Sequence, residues 1–305
     1  MKPVVAISIG DLNGVGPEIA LTAHEKVQEF CKPLYFCNRP MLEQAARLLG
    51  MEIPKDLEVE YVSGEFTIKP GTISKKSARL SFASFSKAVE MTASGITDAV
   101  VTLPINKEAW HKAGIHYSGH TDYLRKRFKK EAIMMLGCDQ LYVALYTEHI
   151  PLKEVPKAIK KKRLARFLID LYESVHPLLP IPVLGLNPHA GDGGVLGDEE
   201  KKIASAIEAA NKKLGKDIFF GPVVPDTAFA PHFRKKVSHI VAMYHDQGLA
   251  PLKALYFEES INVSLNLPIL RTSVDHGTAY DIAYKGLANI TSYLNAVRYA
   301  AHHAR

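Results

Sequence analysis

The chain has 305 residues, 47% of them hydrophobic and 23% charged, with a net charge of +6 and a pI of about 9.0. This balance allows a sizeable core, in two lobes or one large α/β domain, and contains no apolar run long enough to span a bilayer. The positive charge is scattered in lysine doublets plus one run, Lys160 to Arg163, with no stacking aromatics among them; this argues against a nucleic-acid-binding module and leaves a mild field suited to an anionic small molecule.

Lys2-Pro3 leads directly into a strand-like VVAISIG with no small-residue cleavage site, so no signal peptide is expected. Cys31, Cys37 and Cys138 form no C-x-x-C pair and are odd in number. Buried free thiols in a reducing cytoplasm are the expectation.

The first strand, Val4 to Ile9, runs into Gly10-Asp11-Leu12-Asn13-Gly14-Val15-Gly16-Pro17-Glu18. Pro17 and Glu18 suit the first turn of a helix. A strand, a glycine-rich loop and a helix start can cradle an anion, but the spacing is neither G-x-G-x-x-G nor a Walker loop, and a plain tight turn reads equally well. Leu34 to Phe36 is a second strand, followed by a helix from about Pro40 to Leu49. Residues 50 to 76 look rich in strand and loop, and Ala78 to Ser94 has helical periodicity. The strand Ala99 to Leu103 delivers Pro104-Ile105-Asn106-Lys107, where the lysine either reaches an anion or simply starts a helix in solvent.

Tyr117-Ser118-Gly119-His120-Thr121-Asp122 then offers an imidazole and a hydroxyl to a ligand, with Thr121 or Asp122 able to cap the next helix. Strands are expected at Ala132 to Leu136, Leu141 to Thr147, Val183 to Leu186, near Phe219, and at Ser238 to Met243 and Asn262 to Leu267. A helix is expected from Asp198 to Leu214. The loop Pro268 to Thr278 and two closing helices complete the chain. Strands alternate with helices throughout, which predicts an α/β fold with a mostly parallel sheet covered on both faces.

His149, His189 and His245 share one local pattern: each follows an apolar strand and opens a polar or Gly/Pro loop. Parallel strands align their carboxyl ends, where α/β sheets bind ligands, so the three imidazoles can converge on a divalent transition metal. Isolated histidines are also common, and the spacing leaves both readings open. Asp246 beside His245 can orient a ligand or relay a proton.

The blocks GDLNGVGPE, LPINKEAWHKAGI, GHTDYL, TEHIPL, GLNPHAGDGG and AMYHDQGLAPLKAL, continued by INVSLNLPILRTSVDHGTA, run in order from end to end. Together they resemble the 4-hydroxythreonine-4-phosphate dehydrogenase family of vitamin B6 synthesis. The tail HGTAYDIAYKGLAN is also similar to the cofactor loop of isopropylmalate and isocitrate dehydrogenases. The chain departs from the family pattern at Leu12-Asn13, where a Pro-Ala pair is frequent, and at Leu103, where glycine is common; it is also short between the second strand and residue 76.

The resemblance implies two α/β/α lobes with a cleft between them, as in the isocitrate and isopropylmalate dehydrogenases. By analogy the first lobe comprises residues 1–118 and 260–305, and the second 119–259. His149, His189 and His245 match the metal ligands, for Zn2+, Mg2+ or Co2+, with a third ligand supplied across a homodimer interface. His120, Thr121, Lys253, Asn262 and Arg271 match substrate contacts, and His276, Gly277, Thr278, Ala279 and Asp281 face the adenosine end of NAD or NADP. Asp246, then Lys253, is the expected proton acceptor in oxidation of a phosphorylated hydroxy amino acid. The shared motifs equally admit a dehydrogenase of 4-phospho-threonate or 4-phospho-erythronate, and three histidines alone admit a metal-dependent hydrolase.

Overall fold

A computed structural model describes residues 2–304. The strands are β1 (Val4–Ser8), β2 (Lys32–Cys37), β3 (Glu58–Tyr61), β4 (Ala99–Thr102), β5 (Ile133–Cys138), β6 (Leu141–Leu145), β7 (Ile181–Leu184), β8 (Phe219–Val223), β9 (His239–Ala242), β10 (Ile261–Leu265) and β11 (Arg271–Val274). The chain divides into two compact units, 1–130 with 261–305, and 131–260. The division falls after Lys130 rather than after residue 118, so the helix His120–Phe128 belongs with the chain ends.

In the first unit the strand order is β3-β2-β1-β4-β11-β10. β1, β2, β3, β4 and β11 pair in parallel, and β10 runs antiparallel to β11. The buried runs Val5 to Ser8 and Ala99 to Thr102 form its centre, as their β-branched composition predicts. Helix boundaries follow local chemistry. Asn38 accepts from the Met41 N–H at 3.1 Å to open Arg39–Leu49, which closes on left-handed Gly50. Asn106 caps Lys107–Lys112 through the Ala109 N–H at 2.8 Å.

In the second unit the order is β5-β6-β9-β7-β8, with β5 and β6 antiparallel and the other pairs parallel. Leu136, Val143, Leu145, Ile240 and Ala242 form a core closed by Leu249 and Leu252 of the helix His245–Tyr256. The cysteines at 31, 37 and 138 are free and buried, and among the described residues no helix is long and apolar enough to cross a membrane.

Three sequence expectations are corrected. Arg271–Val274, expected as loop, is the buried strand β11. Its RTSV sequence is polar, and the Thr272 hydroxyl finds a partner inside the fold, so hydropathy gives no sign of it. The chain closes on one helix, Thr291–His303, because residues 280–286 are held in turns. Thr121 caps nothing: the helix begins at His120, and the Asp122 carboxylate accepts from the Ser118 N–H at 3.0 Å.

The helix His245–Tyr256 lies close on its sheet because Gly248 has no side chain. A Cβ there would come within 2.6 Å of Val143 Cγ1 and 2.9 Å of Ala242 Cβ. Gly248→Ala gains about 1 kcal/mol of helix propensity, but overpacking against two buried side chains costs ~1–3 kcal/mol. The expected net result is a lower urea midpoint at unchanged slope; a raised midpoint overturns this account of the contact.

Candidate active site

In the first unit a buried cation, Arg271, pairs with no carboxylate among the described residues. Arg271 is 3% exposed at the start of β11. Its Nε and Nη2 donate to Thr102 Oγ1 at 3.1 and 2.6 Å, and Nη1 donates to Ser264 Oγ at 3.2 Å. Nη2 also donates to His120 Nδ1 at 3.1 Å. All these acceptors are neutral. Burial lowers the Arg271 pKa to about 9, so the group is still charged at neutral pH.

His120 is read as neutral for the same reasons. Burial first, then the charges of Arg271 and Lys107, hold its pKa well below the usual imidazole value. Because guanidinium nitrogens only donate, Nδ1 must be the acceptor, and the ring proton sits on Nε2. Nε2 is buried and has no hydrogen-bond partner among the described residues. Phe85 and Trp110 wall the ring at centroid distances of 4.5 and 5.6 Å. Asn262, on β10, likewise buries an unpartnered Oδ1. Buried polar atoms left unpaired cost roughly 1–3 kcal/mol each. The buried His120 N–H beside the guanidinium suits an anionic oxygen, whereas the Asn262 acceptor calls for a ligand donor. Thr102 and Ser264, which hold the guanidinium, were not singled out by sequence reasoning; a lone hydroxyl at a strand end carries no spacing signal.

In the second unit, β6 and β9 are adjacent and parallel, so their carboxyl ends deliver His149 and His245 together, with ring centroids 5.4 Å apart. His245 Nδ1 lies 2.6 Å from Asp246 Oδ1, which leaves Nε2 available to a metal, the usual carboxylate–histidine arrangement. The two rings suit two ligand positions. The expected convergence of three is not seen within one chain: among the described residues no group of three or more His, Cys, Asp or Glu side chains is placed to hold a metal ion. His189 sits apart on the turn after β7, where residues 189 to 193 all take left-handed backbone angles. Lys253 lies two turns along the helix from Asp246, with Nζ 5.8 Å from the Phe257 ring centroid.

The cofactor stretch is also accounted for. His276 Nδ1 donates to the Gly277 carbonyl at 3.0 Å, and its Nε2 is buried without a hydrogen-bond partner among the described residues. Gly277 and Asp281 are exposed, Thr278 and Ala279 half-buried, and Ala279 takes φ +42°. Five N–H groups of the opening glycine-rich loop are spent inside the fold: Asp11 donates to the Pro104 carbonyl, Leu12 to Ser77 Oγ, Asn13 to Asp11 Oδ1, Gly14 to the Asp11 carbonyl and Val15 to the Thr278 carbonyl.

Comparison with known proteins bears on this geometry. The family model described as pyridoxal phosphate biosynthetic protein PdxA matches residues 29–300. The 4-hydroxythreonine-4-phosphate dehydrogenase of Sulfurimonas denitrificans is 58% identical over 299 residues, 98% of this chain and 97% of that one. Its Campylobacter fetus namesake is 55% identical over the same shares. The crystal structure of the Klebsiella pneumoniae 4-hydroxythreonine-4-phosphate dehydrogenase matches with a TM-score of 0.86 at 30% identity, over 100% of both chains. With most of its length matched by the family model and nearly all of it by close relatives, the chain belongs to the PdxA family.

Proposed function

We propose that the protein oxidises 4-phosphooxy-L-threonine at C3 with NAD(P), giving 2-amino-3-oxo-4-phosphooxybutanoate, which loses CO2 to form 3-amino-2-oxopropyl phosphate on the way to pyridoxine 5'-phosphate. The observation that carries this reading is the buried Arg271 guanidinium without a carboxylate, beside an unpartnered His120 N–H. A phosphorylated amino acid supplies what these groups lack: anionic oxygens for Arg271 and His120, and an amine or hydroxyl donor for Asn262 Oδ1. Thr121 orients a further oxygen, and Lys253 adds positive charge.

A bound nicotinamide supplies the hydride acceptor, with His276, Gly277, Thr278, Ala279 and Asp281 facing its adenosine end. A divalent ion, Zn2+ being the best match to imidazole ligands, supplies Lewis acidity toward the C3 hydroxyl. His149 and His245 are its ligands in one chain, oriented by Asp246. We assign the third position to His189 of a second copy, so that the working form is a homodimer. Apolar surface next to these residues supports that assignment: Ile150 and Leu152 beside His149 are 41% and 65% exposed, and Val195 beside the His189 turn is 80% exposed. Asp246 accepts the hydroxyl proton as hydride leaves C3, with Lys253 as the alternative base.

The direct test is turnover of 4-phosphooxy-L-threonine with added divalent metal, followed by reduced-nicotinamide absorbance, beside 4-phospho-threonate and 4-phospho-erythronate. Turnover of either phospho-acid in preference to the amino acid moves the substrate assignment; no nicotinamide reduction with any of them rejects the activity. Arg271→Ala is expected to lower kcat/KM for the phosphorylated substrate by roughly 10²-fold or more, the loss of one or more charge-assisted hydrogen bonds, while the cofactor KM holds. An unchanged substrate KM removes Arg271 from the site.

Elemental analysis tests the metal. His149→Ala, His189→Ala and His245→Ala should each lose bound ion, and full retention in all three removes the site. Asp246→Asn separates two roles. Metal affinity falling by about 10–100-fold in step with rate marks an orienting carboxylate, whereas a rate loss at full metal occupancy marks the base.

A further inference from the structure

Five backbone donors of the opening loop are spent inside the fold, and its contacts show where it is directed. Residues 276–290 contain no strand and no helix. Two of them, Ala279 and Tyr284, hold left-handed angles of +42° and +62° that side-chain-bearing residues adopt only under constraint. Little within the segment supplies that constraint: Ile282 N–H bonds the Ala279 carbonyl and Lys285 N–H the Ile282 carbonyl. The opening loop supplies the rest. Tyr280 OH donates to Asp11 Oδ2 at 2.8 Å, and Tyr284 OH donates to the Leu12 carbonyl at 2.6 Å. Val15 N–H donates to the Thr278 carbonyl at 3.0 Å, and Ala288 N–H donates to Glu18 Oε1 at 2.8 Å. Gly14 makes this approach possible, since a Cβ there would fall 2.8 Å from the Thr278 carbonyl oxygen.

Asp11 is the centre of this arrangement. It is 1% exposed, and its second oxygen accepts from Ser77 Oγ at 2.5 Å and from the Asn13 N–H at 2.9 Å. Burial pushes its pKa up, and the three donors oppose that shift. Asn13 extends the hold to a third segment. It accepts from the Lys69 and Gly71 N–H groups at 3.0 and 2.8 Å and donates to the Thr72 carbonyl at 2.8 Å. Gly71 in turn packs against the Tyr280 carbonyl, where a Cβ would stand 2.8 Å away. None of these groups is aimed at a ligand. They act on the segment that carries His276 to Asp281.

We propose that Asp11 and Tyr280 form a latch by which the glycine-rich opening loop holds the 276–288 segment in its dinucleotide-binding shape, making both positioning residues for the cofactor. The proposal rests on the reading that His276, Gly277, Thr278, Ala279 and Asp281 face the nicotinamide cofactor.

Tyr280→Phe removes one hydroxyl and keeps the ring; Asp11→Asn keeps the shape and removes the charge. Two measurements on the full chain test the latch. In the cofactor-free protein, amide hydrogen exchange over residues 276–284 should quicken by about tenfold in Tyr280→Phe, the scale of one hydrogen bond to a charged group, with exchange in β1 and β4 unchanged. In steady-state assays the KM for NAD(P) should rise by about tenfold, with the KM for the phosphorylated substrate and kcat at saturating cofactor within about twofold of the wild type. Unchanged exchange in Tyr280→Phe overturns the latch, as does a parallel rise in both Michaelis constants. Should Asp11→Asn fail to fold, Tyr280→Phe decides alone. Faster exchange in a protein whose wild-type form reduces no nicotinamide overturns the cofactor role and is charged to the proposed function rather than to the mechanical coupling.

Discussion

The constraint on which the rest of the first unit depends is a guanidinium held out of water with only neutral partners. An ion in that position costs several kcal/mol in desolvation unless something anionic joins it. The fold accepts this cost and arranges its neighbours accordingly. Thr102 at the end of β4 and Ser264 on β10 flank β11, so the strand order itself aims three of the four hydrogen bonds that fix Arg271. His120, at the first turn of its helix, makes the fourth and is kept neutral by burial first and then by the neighbouring charges of Arg271 and Lys107. A lysine in place of Arg271 would be a point charge without the planar fork that these three side chains match.

Much of the architecture was legible because burial and composition coincide. The β-branched runs of β1 and β4 announce buried parallel strands, and the helix expected from about Pro40 to Leu49 is found at Arg39–Leu49. The reading failed where polar residues do structural work. β11 is RTSV, and Thr272 spends its hydroxyl on the Ala296 carbonyl at 2.8 Å, so no hydropathy pattern separates it from a loop. The expected helix after Thr278 is absent because Tyr280 and Tyr284 are bound to the opening loop in a non-helical path. The site residues named from family motifs came from recognition of whole blocks. The hydroxyls of Thr102 and Ser264 lay outside it because their roles exist only in three dimensions.

The opening loop shows how little a weak motif decides. Glycines between a strand and a helix fitted an anion cradle and a plain tight turn equally well, and the structure shows that Gly14 serves to admit the Thr278 backbone. The residues at which this chain departs from the family pattern are themselves bonded: Leu12 donates to Ser77 Oγ and gives its carbonyl to Tyr284, and Asn13 engages residues 69 to 72. A proline at position 12 could not donate, and an alanine at 13 would lack the side-chain bonds. The departure therefore carries structural content rather than being a neutral drift in a surface turn.

A last consequence concerns the turn that bears His189. Three of its residues, His189, Ala190 and Asp192, are non-glycine and left-handed, at a cost of about 1–2 kcal/mol each. Such strain persists only when surrounding contacts over-determine it. Here the half-buried Asn187 and the buried Glu200 provide them: Glu200 Oε1 accepts from the Leu186 and Asn187 N–H groups at 2.9 and 2.8 Å, and Asn187 Nδ2 donates to Glu200 Oε2 at 2.9 Å. Gly191 and Gly197 admit those side chains, since a Cβ at either would collide with Glu200 or Asn187. A chain needing only to connect β7 to the next helix has cheaper routes. The exposed His189 is thereby anchored on a strained but well-braced turn, which is the rigidity that the ligand role proposed for it would need.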